Sequence, residues 1–200
     1  MDQRLEIVTG AKYALRQQVL ASRAALQAAA LQAAGQAITR SLLALAEVRE
    51  AAVVAAYAAL PGELPTAPLI DALHQSGVTV LLPVLAGDRT LSWRVHPLAG
   101  VLVPGALGTR EPPAGAAGLP LSAANAVVLP GLCYDRRGNR LGRGGGSYDR
   151  ALQDLLPATV TIGIALDGDV VEEVPVDSHD RPVQIVVTPT RVIVVDDGGK

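Results

Sequence analysis

The sequence predicts an α/β fold: a three-layer sandwich with a mainly parallel central sheet flanked by helices on both faces. Three observations carry this expectation. Short apolar runs bounded by turn residues recur at residues 52–57, 78–82, 126–129, 160–165, 184–187 and 192–195, the length and composition of buried strands. Segments of helical character lie between several of them, and strands alternating with helices fold as parallel strands joined by crossovers. The chain has 200 residues, 50% hydrophobic and 18% charged. That is enough to build one substantial core, so residues 1–200 are expected to form a single domain.

Taken in order, Thr9 is placed to cap a helix running to about residue 33, which Gly35 interrupts before a second helix to about residue 47. Residues 52–57 read as a buried strand. The turn-rich segment 60–65 leads into a helix over 66–75, with Thr66 at the cap and Pro68 in the first turn. Residues 78–82 form a second buried strand stopped by Pro83, and 91–95 a short exposed one. The stretch 97–121, dense in Gly and Pro, reads as a long loop. The remaining apolar runs read as short strands, with a helix-compatible segment at 148–156. Ligands of open parallel sheets sit beyond the carboxyl ends of strands, and the segment richest in chemistry leaves such an end, after Leu129.

Composition narrows the function classes. A net charge of −2 leaves no general basic footprint, which argues against nucleic-acid binding through bulk charge. The single cysteine, Cys133, cannot form an internal disulfide, and no Cys/His spacing suggests zinc. The opening MDQRLEIVTG lacks the apolar core of a signal peptide, and no segment reaches the roughly 18 apolar residues of a membrane span. A cytoplasmic protein is expected. The chain uses fifteen arginines but only two lysines, Lys12 and Lys200. Lys12 therefore stands out as a compact, mobile ammonium in a chain that otherwise uses guanidinium.

Segment 130–150 reads PGLCYDRRGNRLGRGGGSYDR. Its glycines Gly142, Gly144, Gly145 and Gly146 let backbone N–H groups approach an anion, and arginines such as Arg140 and Arg143 add positive charge. Neither common nucleotide fingerprint fits. The loop lacks the Gly-Lys-Ser/Thr ending of a P-loop, and Ser147 falls where a dinucleotide motif needs its last glycine. In the first helix, at about 100° per residue, Lys12, Arg16 and Arg23 fall within an arc of roughly 40° bordering the apolar stripe Leu15, Val19, Leu26. Such a line of cations can reach into a cleft or form a solvated basic edge, and spacing alone does not choose.

In order along the chain, Lys12-x-x-x-Arg16, Gly62-Glu63-Leu64-x-Thr66, Arg110-Glu111-Pro112, Gly138 to Arg150 and Val174-Pro175-x-x-x-His179-Asp180 resemble the 5-formyltetrahydrofolate cyclo-ligase (methenyltetrahydrofolate synthetase) family. The resemblance runs from residue 12 to residue 188. It implies ATP-driven, Mg²⁺-dependent closure of 5-formyltetrahydrofolate to 5,10-methenyltetrahydrofolate through a phosphorylated formyl group, with release of ADP and phosphate. By the same resemblance, Lys12 and Arg16 would neutralise ATP phosphates, helped by Arg23. Arg140, Leu141, Gly142, Arg143, Gly144, Gly145, Gly146, Ser147 and Tyr148 would form the ATP loop, and Arg143 to Ser147 would also face the folate. Glu63 would hold the substrate, Asp149 and Asp180 the magnesium, and Lys12, Arg143 and Tyr148 would act in catalysis. The implied partners are ATP and 5-formyltetrahydrofolate, with or without a polyglutamate tail, and the implied state is a monomer.

Blander roles compete at several positions. Asp149 can favour a positive helix end, Glu63 can be a solvated turn acid, and Asp180 and His179 can be turn residues. Tyr57 reads as core, His74 and His96 as surface residues, and Cys133 has no partner that would make it a nucleophile. The family often places two aromatics before the loop's final Asp where this chain has Ser147-Tyr148. In the hairpin 82–95, where the family often has a Met and an aromatic against the folate, this chain has Leu91-Ser92-Trp93, and Trp93 is a candidate for the stacking surface or for packing. A non-catalytic folate- or nucleotide-binding relative is the alternative, but a pure binder would not require the metal carboxylates.

Overall fold

The apolar runs pair into one sheet in the computed structural model, which describes residues 3–98 and 100–195. In chain order the strands are β1 (Val53–Ala55), β2 (Thr79–Leu85), β3 (Leu91–Val95), β4 (Val103–Pro104), β5 (Arg110–Glu111), β6 (Ala126–Leu129), β7 (Cys133–Tyr134), β8 (Arg140–Leu141), β9 (Val160–Ile164), β10 (Ile185–Val187) and β11 (Val192–Val194). Seven of them form the sheet β11-β10-β9-β6-β1-β2-β3, while β4-β5 and β7-β8 are separate ribbons. The strands from β10 to β2 in that order run parallel, and the two edge strands β3 and β11 are antiparallel.

The helices are α1 (Gln3–Ala24), α2 (Ala28–Ala44), α3 (Ala46–Arg49), α4 (Ala67–Gln75) and α5 (Ser147–Ala151). Alternation along each strand divides the core. Val80 and Leu82 point to one face and Leu81 to the other, as do Val128 against Val127 and Leu129. The first face is covered by α2 and α4 through Ile38, Leu42, Leu69 and Leu73, each 2% exposed or less. At about 1.5–3 kcal/mol per buried side chain, this layer is the main anchor of both helices. The second face lies under α5, the 3-10 turns Leu121–Ala123 and Leu152–Asp154, and the buried rings of Tyr134 and Trp93. The three-layer α/β architecture is as expected, but one outer layer is made of short pieces. Helix α1 packs off the sheet, with Leu15 and Val19 against Leu132, Cys133, Leu141 and Val174.

Several local expectations need correction. Thr9 is inside α1, not at its start. The first break falls at residues 25–27, where Ala25 and Leu26 donate to carbonyls three residues back and Gln27 turns extended. Gly35 does not interrupt anything. It lies within α2, where a Cβ would meet the Pro65 carbonyl oxygen at 2.9 Å, so it marks a close approach. Thr66 precedes α4 without capping it. Its hydroxyl donates to the Tyr57 carbonyl and accepts from Ala59 N–H, shaping the turn after β1. The helix expected over 148–156 is α5 followed by a 3-10 turn. Strand β3 is an edge strand, yet its Trp93 is buried. Residues 100–121 hold the small β4-β5 ribbon and a 3-10 turn at Ala106–Gly108 in an otherwise irregular path. Among the described residues, no helix is long and apolar enough to cross a membrane.

Candidate active site

A cavity of about 670 Å³ opens at the carboxyl ends of β1, β2 and β6. Tyr57 and Glu63 enter from the turn after β1, Pro83 and Leu85 from the end of β2, and Pro130 to Leu132 from the exit of β6. The chain then forms the β7-β8 ribbon, whose turn is tied by the buried Asp135. That carboxylate accepts from Arg137 N–H, Asn139 N–H, Asn139 Nδ2 and Val174 N–H at 2.9–3.1 Å. Asp135 is therefore a structural acid. The ribbon delivers Arg140 and Leu141 to the cavity, and the glycine run comes directly after.

Gly144 and Gly146 take φ of 96° and 64°, left-handed values that L side chains rarely adopt. Their backbone curves the loop around the cavity, and α1 closes it from the other side. Arg16 Nε donates to the Gly142 carbonyl at 2.9 Å, and its guanidinium carbon lies 3.6 Å from where a Cβ on Gly144 would stand. Arg140 is almost fully buried. It donates to Asp149 Oδ1 at 2.7 Å and lies with its guanidinium 5.9 Å from the Tyr148 ring centre. Its Nε is the one enclosed side-chain nitrogen or oxygen without a hydrogen-bond partner among the described residues. Arg143 Nε reaches 80 residues back to Glu63 Oε1 at 2.8 Å, while Glu63 Oε2 accepts from Leu60 N–H at 2.9 Å.

Lys12 donates to Asp177 Oδ2 at 2.8 Å and Asp180 Oδ2 at 2.5 Å. Burial alone would lower the Lys12 ammonium, but the bonds and charges of these two carboxylates outweigh it and hold it above the ordinary lysine value. Burial likewise pushes the Asp180 carboxyl up, and the Asp177 N–H and Lys12 overcome that and hold it below the ordinary value. Burial, then the Glu63 charge, raises the Tyr148 phenol, so Tyr148 offers a neutral hydroxyl and not a base. Burial pushes the Cys133 thiol up to about 12, which removes it from nucleophilic chemistry.

The expected site residues converge. Lys12, Arg16, Glu63, Arg140, Leu141, Gly142, Arg143, Gly144, Gly145, Gly146, Ser147, Tyr148, Asp149 and Asp180 all line this one cavity. Arg23 does not. It is buried with Asp169 at 2.8 Å and also donates to the Gly131 and Leu132 carbonyls, fixing α1 to the exit of β6. Trp93 is buried edge-on to Tyr148, ring centres 6.3 Å apart, so it supports the wall from behind. Glu111, Asp177 and His179 also line the cavity. No sequence signal pointed to Asp177. Glu111 belongs to the Arg110-Glu111-Pro112 motif, but sequence alone attached no role to it.

A parallel α/β sheet with cationic helix, glycine loop and acidic residues around one carboxyl-end cavity defines a class: enzymes that bind an anionic cofactor or substrate above the strands. Comparison with known proteins narrows it. The 5-formyltetrahydrofolate cyclo-ligase family profile matches residues 8–189. The 5-formyltetrahydrofolate cyclo-ligase of Escherichia coli K12 is 37% identical over 175 residues, 85% of this chain and 96% of that protein. That of Mycolicibacterium smegmatis is 36% identical over 149 residues, 70% of this chain and 75% of that protein. The solution structure of Aquifex aeolicus 5,10-methenyltetrahydrofolate synthetase superposes with a TM-score of 0.82 at 29% identity, covering 94% of this chain and 95% of that one. The chain is an enzyme of the 5-formyltetrahydrofolate cyclo-ligase family.

Proposed function

We propose that the protein closes 5-formyltetrahydrofolate to 5,10-methenyltetrahydrofolate at the expense of ATP. The observation that carries this reading is the meeting of two different recognition surfaces in one cavity. Lys12, Arg16 and the glycine loop present cations and backbone donors suited to phosphates, and Glu63, Leu85 and Leu91 present a carboxylate and apolar walls suited to a flat, N–H-bearing ring.

Charge sharpens the reading. Lys12, Arg16, Arg110, Arg140 and Arg143 face Glu63, Glu111, Asp149, Asp177 and Asp180, five cations against five carboxylates. A triphosphate entering a balanced cavity needs further positive charge, which a divalent cation supplies. Asp149 and Asp180 fit that ion. Each gives one oxygen to a cation, Arg140 or Lys12, and no described residue hydrogen-bonds the other oxygen. Arg181 N–H, next to Asp180, lies 3.5 Å from Asp149 Oδ1, so the two acids are neighbours. Among the described residues no cluster of three or more His, Cys, Asp or Glu forms a cage. One or two carboxylates completed by phosphates and water is the habit of Mg²⁺. When bound, Mg²⁺ would draw charge from the phosphate oxygens.

In this scheme the formyl oxygen attacks the γ-phosphorus, ADP leaves, and the poor oxygen leaving group becomes a phosphate. The N10 nitrogen then attacks the activated carbon, the N10 proton is lost, and phosphate departs. The protein's part is positioning and electrostatic stabilisation. Lys12 and Arg16 neutralise the phosphates and Arg143 spans both substrates. Tyr148 keeps its proton and donates a hydrogen bond near the reacting end. The same reading makes the enzyme a cytoplasmic monomer working on small molecules. Mixing protein, MgATP and 5-formyltetrahydrofolate is expected to raise absorbance at the methenyl-folate band. No rise from folded protein across pH and metal conditions would overturn the reading.

A further inference from the structure

Of the five carboxylates in the cavity, four are already paired: Glu63 with Arg143, Asp149 with Arg140, and Asp177 and Asp180 with Lys12. Among the described residues, Glu111 alone of the five has no cation. It is 7% exposed, and its Oε1 accepts from Leu85 N–H at 3.0 Å and from the Thr109 hydroxyl at 2.6 Å. No described residue donates to Oε2. That oxygen is not sealed in, because Arg140 Nε is the one enclosed and unpartnered side-chain polar atom among them, and Glu111 lines the cavity. The cavity is the space that the structure sets beside it. The local backbone is shaped around the carboxylate: a Cβ on Gly105 would collide with the Glu111 carboxyl carbon.

We infer that Glu111 is a specificity-determining residue that accepts a hydrogen bond from a ring N–H of the reduced pterin. The inference rests on the proposed reaction and adds a second acidic contact to it. Sheet order supports the assignment. The glycine loop leaves the β6 side, whereas Glu111 stands on the end of β2, with β1 between them. Phosphates belong on the first flank, and a carboxylate without a counter-cation would repel them from the second. Pro83, Leu85 and Leu91 line the cavity on that second flank, giving an apolar slot in which one aimed acceptor selects a ring with N–H donors.

Glu111→Gln separates a binding role from a structural one. The amide oxygen stays with the two fixed donors, Leu85 N–H and Thr109 O–H, so the loop keeps its bonds. The NH₂ must then face the cavity, and an acceptor becomes a donor. Binding of 5-formyltetrahydrofolate and of a non-hydrolysable ATP analogue is measured by calorimetry on native-like protein. We expect folate affinity to fall roughly tenfold or more, the cost of an unmatched buried donor, with analogue affinity unchanged. Equal folate affinity in the variant and the parent overturns the inference. Should Glu111→Gln not fold, Thr109→Val decides: it frees the carboxylate from one anchor and is expected to weaken folate binding several-fold, and unchanged binding again overturns it. A parent protein that binds no folate would instead refute the proposed reaction.

Discussion

Lys12 is held by two carboxylates, and under the proposed reaction both compete with phosphate for its charge. Asp177 and Asp180 both hold its ammonium, so in the proposed reaction an ATP phosphate would share Lys12 with them. Asp180 doubles as a metal candidate, whereas Asp177 would contribute only negative charge beside the proposed phosphate site. Asp177→Asn is expected to tighten ATP binding about two- to fivefold, the worth of removing one partly screened charge. Weaker binding in a titration with an ATP analogue would show that Asp177 aims Lys12 instead of competing for it. Cys133 gives a second residue-scale prediction. With its thiol near 12 and fully buried, it is expected to resist a disulfide reagent at pH 8 in the native protein and to react fully in guanidinium; rapid native labelling would contradict the packing of α1. Lys12 was legible in the sequence because an internal lysine is rare in this chain. Asp177 was not, since a lone acid near a turn carries no period or spacing, and only the docking of α1 gives it a partner. Arg23 shared the helical arc of Lys12 and Arg16, yet further along the same helix it meets Asp169 and not the cavity.

At the scale of elements, the strands were legible because each is a short unbroken apolar run, and their edges were not. A parallel strand ends where its next turn begins, and the turns at Thr66 and Gln27 depend on side chains finding distant carbonyls or on a helix tightening its last turn. Gly35 shows the ambiguity. In sequence a glycine between helical stretches reads as a stop; in the fold it lets α2 press against Pro65, two residues beyond the candidate substrate acid Glu63. Gly35→Ala tests which effect wins. Alanine gains about 1 kcal/mol of helix propensity, but its methyl would crowd a backbone oxygen at 2.9 Å, and forced shifts in a packed interior cost about 1–3 kcal/mol. We expect a net loss of stability in urea unfolding, together with a raised KM for 5-formyltetrahydrofolate as the Glu63 turn moves. A variant more stable than the parent, with unchanged KM, would show that α2 can slide without disturbing the site.

The whole molecule links its outer helical layer to the site through a pair the sequence marked only as surface residues. His74 on α4 and His96 at the exit of β3 lie with Nε2 and Nδ1 2.9 Å apart, and His96 is buried. Beyond His96 begins the segment that carries Glu111, so the pair pins that segment to α4. A hydrogen bond between two imidazoles needs one of the facing nitrogens to be unprotonated. Burial, then the neighbouring His74, holds the His96 imidazole below the ordinary histidine value, against smaller upward pulls from Gly100 and Asp71. That depression sets the sign of the linkage. Unfolded, His96 takes up a proton at about pH 6.5; folded, it does so only at lower pH. Below about 6.5 the unfolded state therefore binds more protons, so stability is level above about pH 6.5 and declines as pH falls from there through the folded value. Urea midpoints measured from pH 8 to pH 5 are expected to fall in the parent and to fall less in His96→Gln, which keeps a hydrogen-bonding group but cannot titrate. Equal slopes in the two proteins would mean that the pair does not couple α4 to the site segment in this pH range.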